Sequence, residues 1–269
     1  MFELLRLAIA LVGTLAAGLW DLRTTDVPDR VVFSMIALGL ALAAAEGYLS
    51  GDWTALAYSL MVSLAFTAFA ALMYYAGAWG GGDGALLVAV GALLPTWIFA
   101  GPLSFLPFPL VYFISVFAVG LLYSTTYLSV KVLRDRKAAA LFGREFAKIR
   151  LAYVPVAVVL LLLVPMLPAL LSFLLALFLL ILPPVYALSN AADRFFYKRV
   201  VVRDLQPGDM IGEDLPRLKI YKSLIRGLTP KEVAAIRKLK KSVVVRSGVR
   251  YAVVFFLALL VLLLVSALL

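Results

Sequence analysis

The sequence predicts an all-α polytopic membrane protein with a small extramembrane α/β segment, and three observations carry that expectation. Of 269 residues, 64% are hydrophobic and 15% charged, against about 25% charged in an average soluble domain. Mostly apolar runs of about 18 residues recur along nearly the whole chain, each long enough to cross about 30 Å of hydrocarbon. The lysines and arginines are not spread evenly but gather in two connections between those runs. A buried core helix of a soluble protein explains one such run, not seven or eight.

Eight spans are predicted, within a range of six to eight. The first covers residues 4–20 and carries Arg6, which is expected to snorkel to the interface. It ends in Trp20-Asp21-Leu22-Arg23 with no small-residue cleavage site, so it reads as a retained helix rather than a signal peptide. Residues 31–48, 53–76, 85–100 and 109–130 form the next four. The stretch 151–188 is too long for one span, and the Val-Pro-Met-Leu-Pro segment at 164–168 is expected to break it into 151–164 and 169–188, with one bent or re-entrant element as the alternative. Residues 251–268 form the last. The chain thus divides into a membrane domain (1–188), a cytosolic segment (189–250) and a C-terminal transmembrane helix (251–269).

Charge sets the orientation. Residues 131–150 and 189–250 together hold 22 of the 25 lysines and arginines, whereas 49–52 and 101–108 hold none. The positive-inside bias places the first pair in the cytosol and the N-terminus outside. The net charge of +10 then reads as orientation and attraction to anionic membrane lipids, not to nucleic acid. In the cytosolic segment, Pro207-Gly208-Asp209 reads as a turn. Thr229, Pro230 and Glu232 form a capping box ahead of a helix over 230–241, and residues 242–246 read as a strand. With few large apolar side chains, this piece is expected to lean on the membrane domain.

Cysteine and histidine are both absent. That removes disulfides, zinc sites built from those ligands, a thiol nucleophile and a histidine base. Hydrolytic chemistry would have to run on Asp, Glu, Lys or Tyr. Two carboxylates stand out. Asp21 closes the first apolar run and Asp83 opens the fourth, positions where a charge is expensive and a function is the default reading. The topology, drawn from Lys and Arg alone, puts both on the cytosolic face. Two carboxyls close enough to share a proton form an aspartyl dyad, which needs neither metal nor nucleophilic side chain. Around Asp83, Gly80, Gly81, Gly82 and Gly84 leave the backbone bare; they are expected to permit φ > 0 and close approach of an extended peptide. A flexible turn and helix packing through small residues are the plainer alternatives.

These motifs resemble the archaeal type IV prepilin and preflagellin (prearchaellin) peptidases, membrane aspartyl proteases of the GxGD class. That family places one Asp after its first helix, in a stretch like DxRxxxxPN, and a second in GxGD before the fourth. Here the stretches are Asp21-Leu22-Arg23-Thr24-Thr25-Asp26-Val27-Pro28-Asp29 and Gly80-Gly81-Gly82-Asp83. The resemblance is strongest over about residues 10–100. It implies Asp21 and Asp83 as the catalytic pair, Gly80 and Gly82 as the active-site glycine motif, a protease core within 1–100, no cofactor and no metal. It implies pilin-like or archaellin precursors as partners and removal of their short basic leader. Ala85 stands where family members commonly carry Lys. The cysteine-bearing domain of bacterial members is missing, and cleavage without methylation is expected.

Asp26 and Asp29 are expected to decorate a solvated loop, Asp29 capping the second helix, with substrate attraction as their further role. Arg23 reads as an interface anchor, or else as an ion-pair partner of Asp21. A proton- or cation-coupled transporter is the alternative function, since it also uses membrane carboxylates and glycine-broken helices; a non-enzymatic assembly protein using the basic Lys238–Lys241 run is a third.

Overall fold

The computed structural model describes residues 2–97, 104–162, 169–222 and 227–268. Its helices are α1 (Phe2–Thr24), α2 (Asp29–Ser50), α3 (Thr54–Tyr75), α4 (Gly81–Leu93), α5 (Phe108–Arg134), α6 (Arg136–Leu162), α7 (Ala169–Ala192), α8 (Pro230–Leu239) and α9 (Val253–Leu268). Three strands, β1 (Tyr197–Val201), β2 (Met210–Ile211) and β3 (Ser242–Arg246), form one small sheet. Among the described residues, α1, α2, α3 and α5 are long and apolar enough to cross a membrane, and α4 and α9 are shorter apolar helices. The chain divides into two compact units, one of residues 1–121 with 199–269 and one of residues 122–198.

In the first unit α4 is the central helix, packed by α1, α2 and α3. Its face is buried all round, from Leu86 to Leu93, as expected of a helix apolar on every side. At 13 residues it is only about 20 Å long, shorter than the span expected over 85–100. The cause is local: Leu94 leaves the helical region at φ −126° and ψ 68°, the conformational restriction that Pro95 imposes on the residue before it. The α1 helix errs the other way. It continues to Thr24, so Asp21 lies within its last turns rather than beyond its end.

Arg6 does not snorkel. It is buried, and its guanidinium pairs with Glu46 of α2. Two charges carried into an apolar environment are tolerable only as a pair, so the residue expected to snorkel is an interhelical contact. The α2 helix begins at Asp29, but Pro28 occupies the N-cap position with no side-chain cap bond. Asp29 is therefore a first-turn acid facing the positive helix end, not the cap that the sequence led us to expect.

The extramembrane part of this unit has its own core. The sheet order is β1-β3-β2, with Met210 opposite Arg246 and Ile211 opposite Val245 in the antiparallel β2–β3 pair. Val243 and Val245 point inward from β3, and Val233 and Ile236 from α8, onto Leu205 and Leu228. Strand alternation and the i, i+3 spacing on α8 concentrate the few apolar side chains on one side. The expectation that this segment buries little by itself is thereby corrected. The capping box is present: the Glu232 N–H donates to Thr229 Oγ1 at 3.3 Å and the Thr229 N–H to Glu232 Oε2 at 2.8 Å. Arg237 donates to the carbonyls of Val202, Arg203 and Leu205 at 3.1, 3.3 and 2.9 Å, fastening α8 to the chain after β1.

In the second unit α6 packs on α7. The connection expected over 131–150 is almost entirely helical, because α5 runs to Arg134 and α6 starts at Arg136. Asp135 makes so sharp a junction possible: its Oδ1 accepts the N–H groups of Lys137 and Ala138 at 2.9 and 3.1 Å, and its carboxylate pairs with Arg194. The Ala138 hydrogen bond, with that ion pair, holds the Asp135 carboxyl below the usual carboxylate range. Val132, Ala138, Leu188 and Ala191 close a small core beneath it. The break expected at 164–168 lies outside the described residues.

Candidate active site

The two singled-out aspartates come from helices that touch, α1 and α4, and their carboxylates lie within electrostatic reach of each other. Each is held by a different main-chain donor. Asp21 is buried, and its Oδ2 accepts the N–H of Ala252, just ahead of α9, at 3.0 Å. Asp83 is the third residue of α4, and its Oδ2 accepts the N–H of Gly80 at 3.2 Å. That bond satisfies one of the orphan donors at the helix start, so Asp83 caps its own helix.

The segments that carry the pair also meet. An added Cβ on Gly82 would stand 2.7 Å from Cβ of Val27, and one on Gly84 would stand 2.7 Å from Cβ of Ala70 on α3. Val27 is buried in the loop that follows Asp21. Bare backbone at Gly82 thus lets that loop lie against the start of α4. The expected φ > 0 is not what these glycines supply. Gly80 sits at φ −72° and ψ 161°, open to any residue, and the described glycines with positive φ are Gly51, Gly77 and Gly208. The role is close approach, which the sequence reading also named.

Trp79, immediately before the glycine run, is buried. Its ring meets Phe69 at 5.7 Å, Phe117 at 5.5 Å and Phe255 at 5.8 Å, an apolar wall beside the start of α4. Tyr251 lies 6.1 Å from the Trp79 ring, donates its hydroxyl to the Val116 carbonyl at 3.1 Å, and is within electrostatic reach of Asp83. The positive charge of Arg250 is felt at Asp21. Arg23, expected as an interface anchor with an ion pair to Asp21 as the alternative, is exposed in the last turn of α1. Asp26 and Asp29 are both exposed, and the charge of Asp26 is felt at Asp21 and at Asp209 of the extramembrane part. Ala85 is half-buried one turn into α4.

Sequence reasoning missed Trp79, Arg250, Tyr251 and Ala252. Trp79 adjoins the glycine motif and was open to notice. Nothing in the local sequence separates Arg250 from the other basic residues of its segment, and Ala252 acts through its main chain.

Residues 8–124 match the family model described as the type IV leader peptidase family, a region that contains both aspartates, the glycine run and Val27. The resemblance to type IV leader peptidases holds over that region. Among curated proteins, the chain is 33% identical over 95 residues to prepilin peptidase EppA of Methanothermobacter thermautotrophicus, covering 35% of this chain and 25% of that protein. It is 28% identical over 92 residues to the preflagellin peptidase of Methanococcus voltae, covering 34% and 39%, and 29% identical over 89 residues to that of Methanocaldococcus jannaschii, covering 33% and 38%. The chain therefore spans between a quarter and two fifths of the length of these relatives. No solved structure matches it.

Proposed function

We propose that this protein is a membrane aspartyl endopeptidase that removes the short basic leader of pilin-like or archaellin precursors at the cytosolic membrane face. The observation that carries the proposal is the approach of Asp21 and Asp83, from α1 and α4, within a region that matches type IV leader peptidases. One carboxylate takes a proton from water as the water oxygen bonds to the scissile carbonyl carbon. The other carboxyl gives its proton to the carbonyl oxygen. Collapse of the resulting diol breaks the C–N bond, and the departing nitrogen leaves with a proton. All of this needs two carboxyls of opposite protonation in hydrogen-bond or one-water reach.

Further parts of the proposal follow from the chain's pattern. Gly80 and Gly82 present bare backbone beside Asp83 for an extended substrate. The exposed carboxylates of Asp26 and Asp29 attract the basic leader. Eight crossings, with the basic segments inside, put this face in the cytosol. The relatives' names, prepilin and preflagellin peptidase, support the substrate class.

The test is cleavage of a candidate pilin-like or archaellin precursor by the full-length protein in detergent or nanodiscs. Asp21→Asn and Asp83→Asn should each lose at least about 10²-fold in rate, the low end of what positioned acid–base groups supply, while remaining inserted and folded. Near-normal cleavage by either variant would remove the aspartyl assignment.

A further inference from the structure

The chain enters α9 through Tyr251 and Ala252, and this entry is fastened to the helices around Asp21. Ala252 is fully buried, and its main-chain N–H donates to Asp21 Oδ2 at 3.0 Å. Among the described residues no other hydrogen bond reaches that carboxylate, so one main-chain donor holds one of its two oxygens. The first N–H groups of a helix lack an intrahelical acceptor. Here the first bonds run from Val254 N–H to the Tyr251 carbonyl at 2.9 Å and from Phe255 N–H to the Ala252 carbonyl at 3.3 Å. The Ala252 N–H precedes both and is free for Asp21.

Three contacts keep this donor in place. Gly18, one turn before Asp21, lets α9 close on α1: an added Cβ there would stand 2.8 Å from Cα of Val253. The Tyr251 hydroxyl donates to the Val116 carbonyl of α5 at 3.1 Å, in space that a side chain on Gly120 would fill. About one turn into α9, the buried Tyr112 hydroxyl of α5 donates to the Phe255 carbonyl at 3.1 Å. The donor is thus tied to α5 on both sides along the chain and to α1 through the glycine contact. An aspartate side chain turns about two torsions, whereas acid–base work needs its reacting oxygen within hydrogen-bond or one-water reach of its target. A fixed donor on Oδ2 restrains both torsions.

We infer that the Ala252 main-chain N–H is a positioning group for the proposed reaction: it holds Asp21 Oδ2, leaves Oδ1 for proton exchange with water, and so makes the entry to α9 part of the active site. The inference rests on the aspartyl endopeptidase reading and deepens it. Ala252 touches neither water nor substrate in this scheme and acts through Asp21. The donor comes from beyond residues 8–124, the region that matches type IV leader peptidases. That region carries both aspartates but not this part of their setting.

The experiment replaces one main-chain amide by an ester, through cell-free translation of the full-length protein into nanodiscs with a hydroxy-acid-charged tRNA. An ester in place of the Tyr251–Ala252 amide removes the donor and keeps every side chain. An ester in place of the Ala252–Val253 amide is the control for ester chemistry at a helix start. The readouts are kcat, KM and thermal midpoint with a synthetic peptide spanning leader and cleavage site of a candidate pilin-like precursor, beside Asp21→Asn and Asp83→Asn. We expect the first ester to lose about tenfold or more in kcat, the order that one charge-assisted hydrogen bond supplies. KM should be unchanged, and the control should keep a wild-type rate. Ala252→Pro removes the same donor at a helix start, where proline is tolerated, and should show at least that loss. Equal kcat in the two ester proteins, or a wild-type kcat in Ala252→Pro, overturns the inference and leaves the endopeptidase reading standing if both Asn variants are inactive. A raised KM at constant kcat overturns it in favour of substrate binding. A loss of rate that follows a lowered midpoint in both esters overturns it in favour of a structural role. Cleavage by Asp21→Asn removes the reading itself, and the inference with it.

Discussion

Val27 occupies the space that a side chain on Gly82 would need, with only 2.7 Å between its Cβ and the position a Cβ on Gly82 would take. This one contact joins the loop after Asp21 to the turn before Asp83, so the two carboxylates are set partly by packing eight or fewer residues from each. Gly82→Ala should therefore lower stability by about 1–3 kcal/mol, the usual penalty for overpacking, and lower cleavage with it. Val27→Ala should restore part of both in the double variant. Gly80→Ala is the contrast: its Cβ would meet only Asp83 Oδ2 at 3.4 Å, an ordinary contact, and its backbone is unstrained. Thermal unfolding in detergent beside cleavage rates distinguishes the two glycines; equal tolerance at 82 and 80 would remove the close-approach account.

The Arg6–Glu46 pair makes a second prediction. Removing one partner of a buried ion pair leaves an uncompensated charge, typically destabilising by about 3–5 kcal/mol. Glu46→Gln should approach that range, because Arg6 is 4% exposed and its Nε has no hydrogen-bond partner among the described residues. The exchanged pair Arg6→Glu with Glu46→Arg should recover part of the loss. The measurement is the thermal midpoint of the three proteins in the same detergent. A midpoint for Glu46→Gln equal to wild type would return Arg6 to the snorkelling role expected from the sequence.

How much of this was legible beforehand follows from the kind of signal involved. Apolar runs marked α1, α2, α3, α5 and α9 within a few residues, because length and hydropathy decide a membrane helix. The Thr229 capping box and the β3 strand were legible because capping and alternation are local. Asp21 and Asp83 stood out as charges at the edges of apolar runs. What failed was long-range or shared. Arg6 looked stranded because its counter-charge lies 40 residues on. The helical junction at Asp135 read as a loop because charge density masked a capped helix start. Arg250 and Ala252 lie more than 200 residues from Asp21, and no periodicity links them.

Asp209 gives a pH-dependent prediction away from the membrane helices. Burial raises its carboxyl above the ordinary carboxylate value; the Gln206 N–H opposes this and the nearby charge of Asp26 adds to it. An acid with a raised value in the folded state favours folding in its protonated form. Its penalty therefore develops as pH rises through the ordinary value, about 3.9, and is complete above the folded value. Asp209→Asn keeps an acceptor for the Gln206 N–H and removes the penalty. The variant should match wild type below about pH 4, where the ordinary carboxyl is protonated, and be the more stable at neutral pH. Thermal midpoints across that range test this; a difference that is constant with pH would mean that charge plays no part.

Because the chain has no cysteine, single cysteines can report orientation without background. Ala140 is exposed in the first turns of α6, and Ser50 is exposed at the end of α2. Positive-inside bias puts residue 140 in the cytosol with the other basic segments, and residue 50 outside. In right-side-out vesicles a membrane-impermeant maleimide should label Ser50→Cys at once and Ala140→Cys only after permeabilisation. Both aspartates lie toward the ends of their helices away from Ser50: Asp21 in the last turns of α1, and Asp83 in the first turn of α4. The reverse labelling pattern would therefore turn the carboxylate pair outward, away from any precursor leader held in the cytosol. The aspartyl chemistry would survive that result, but the proposed substrate would not.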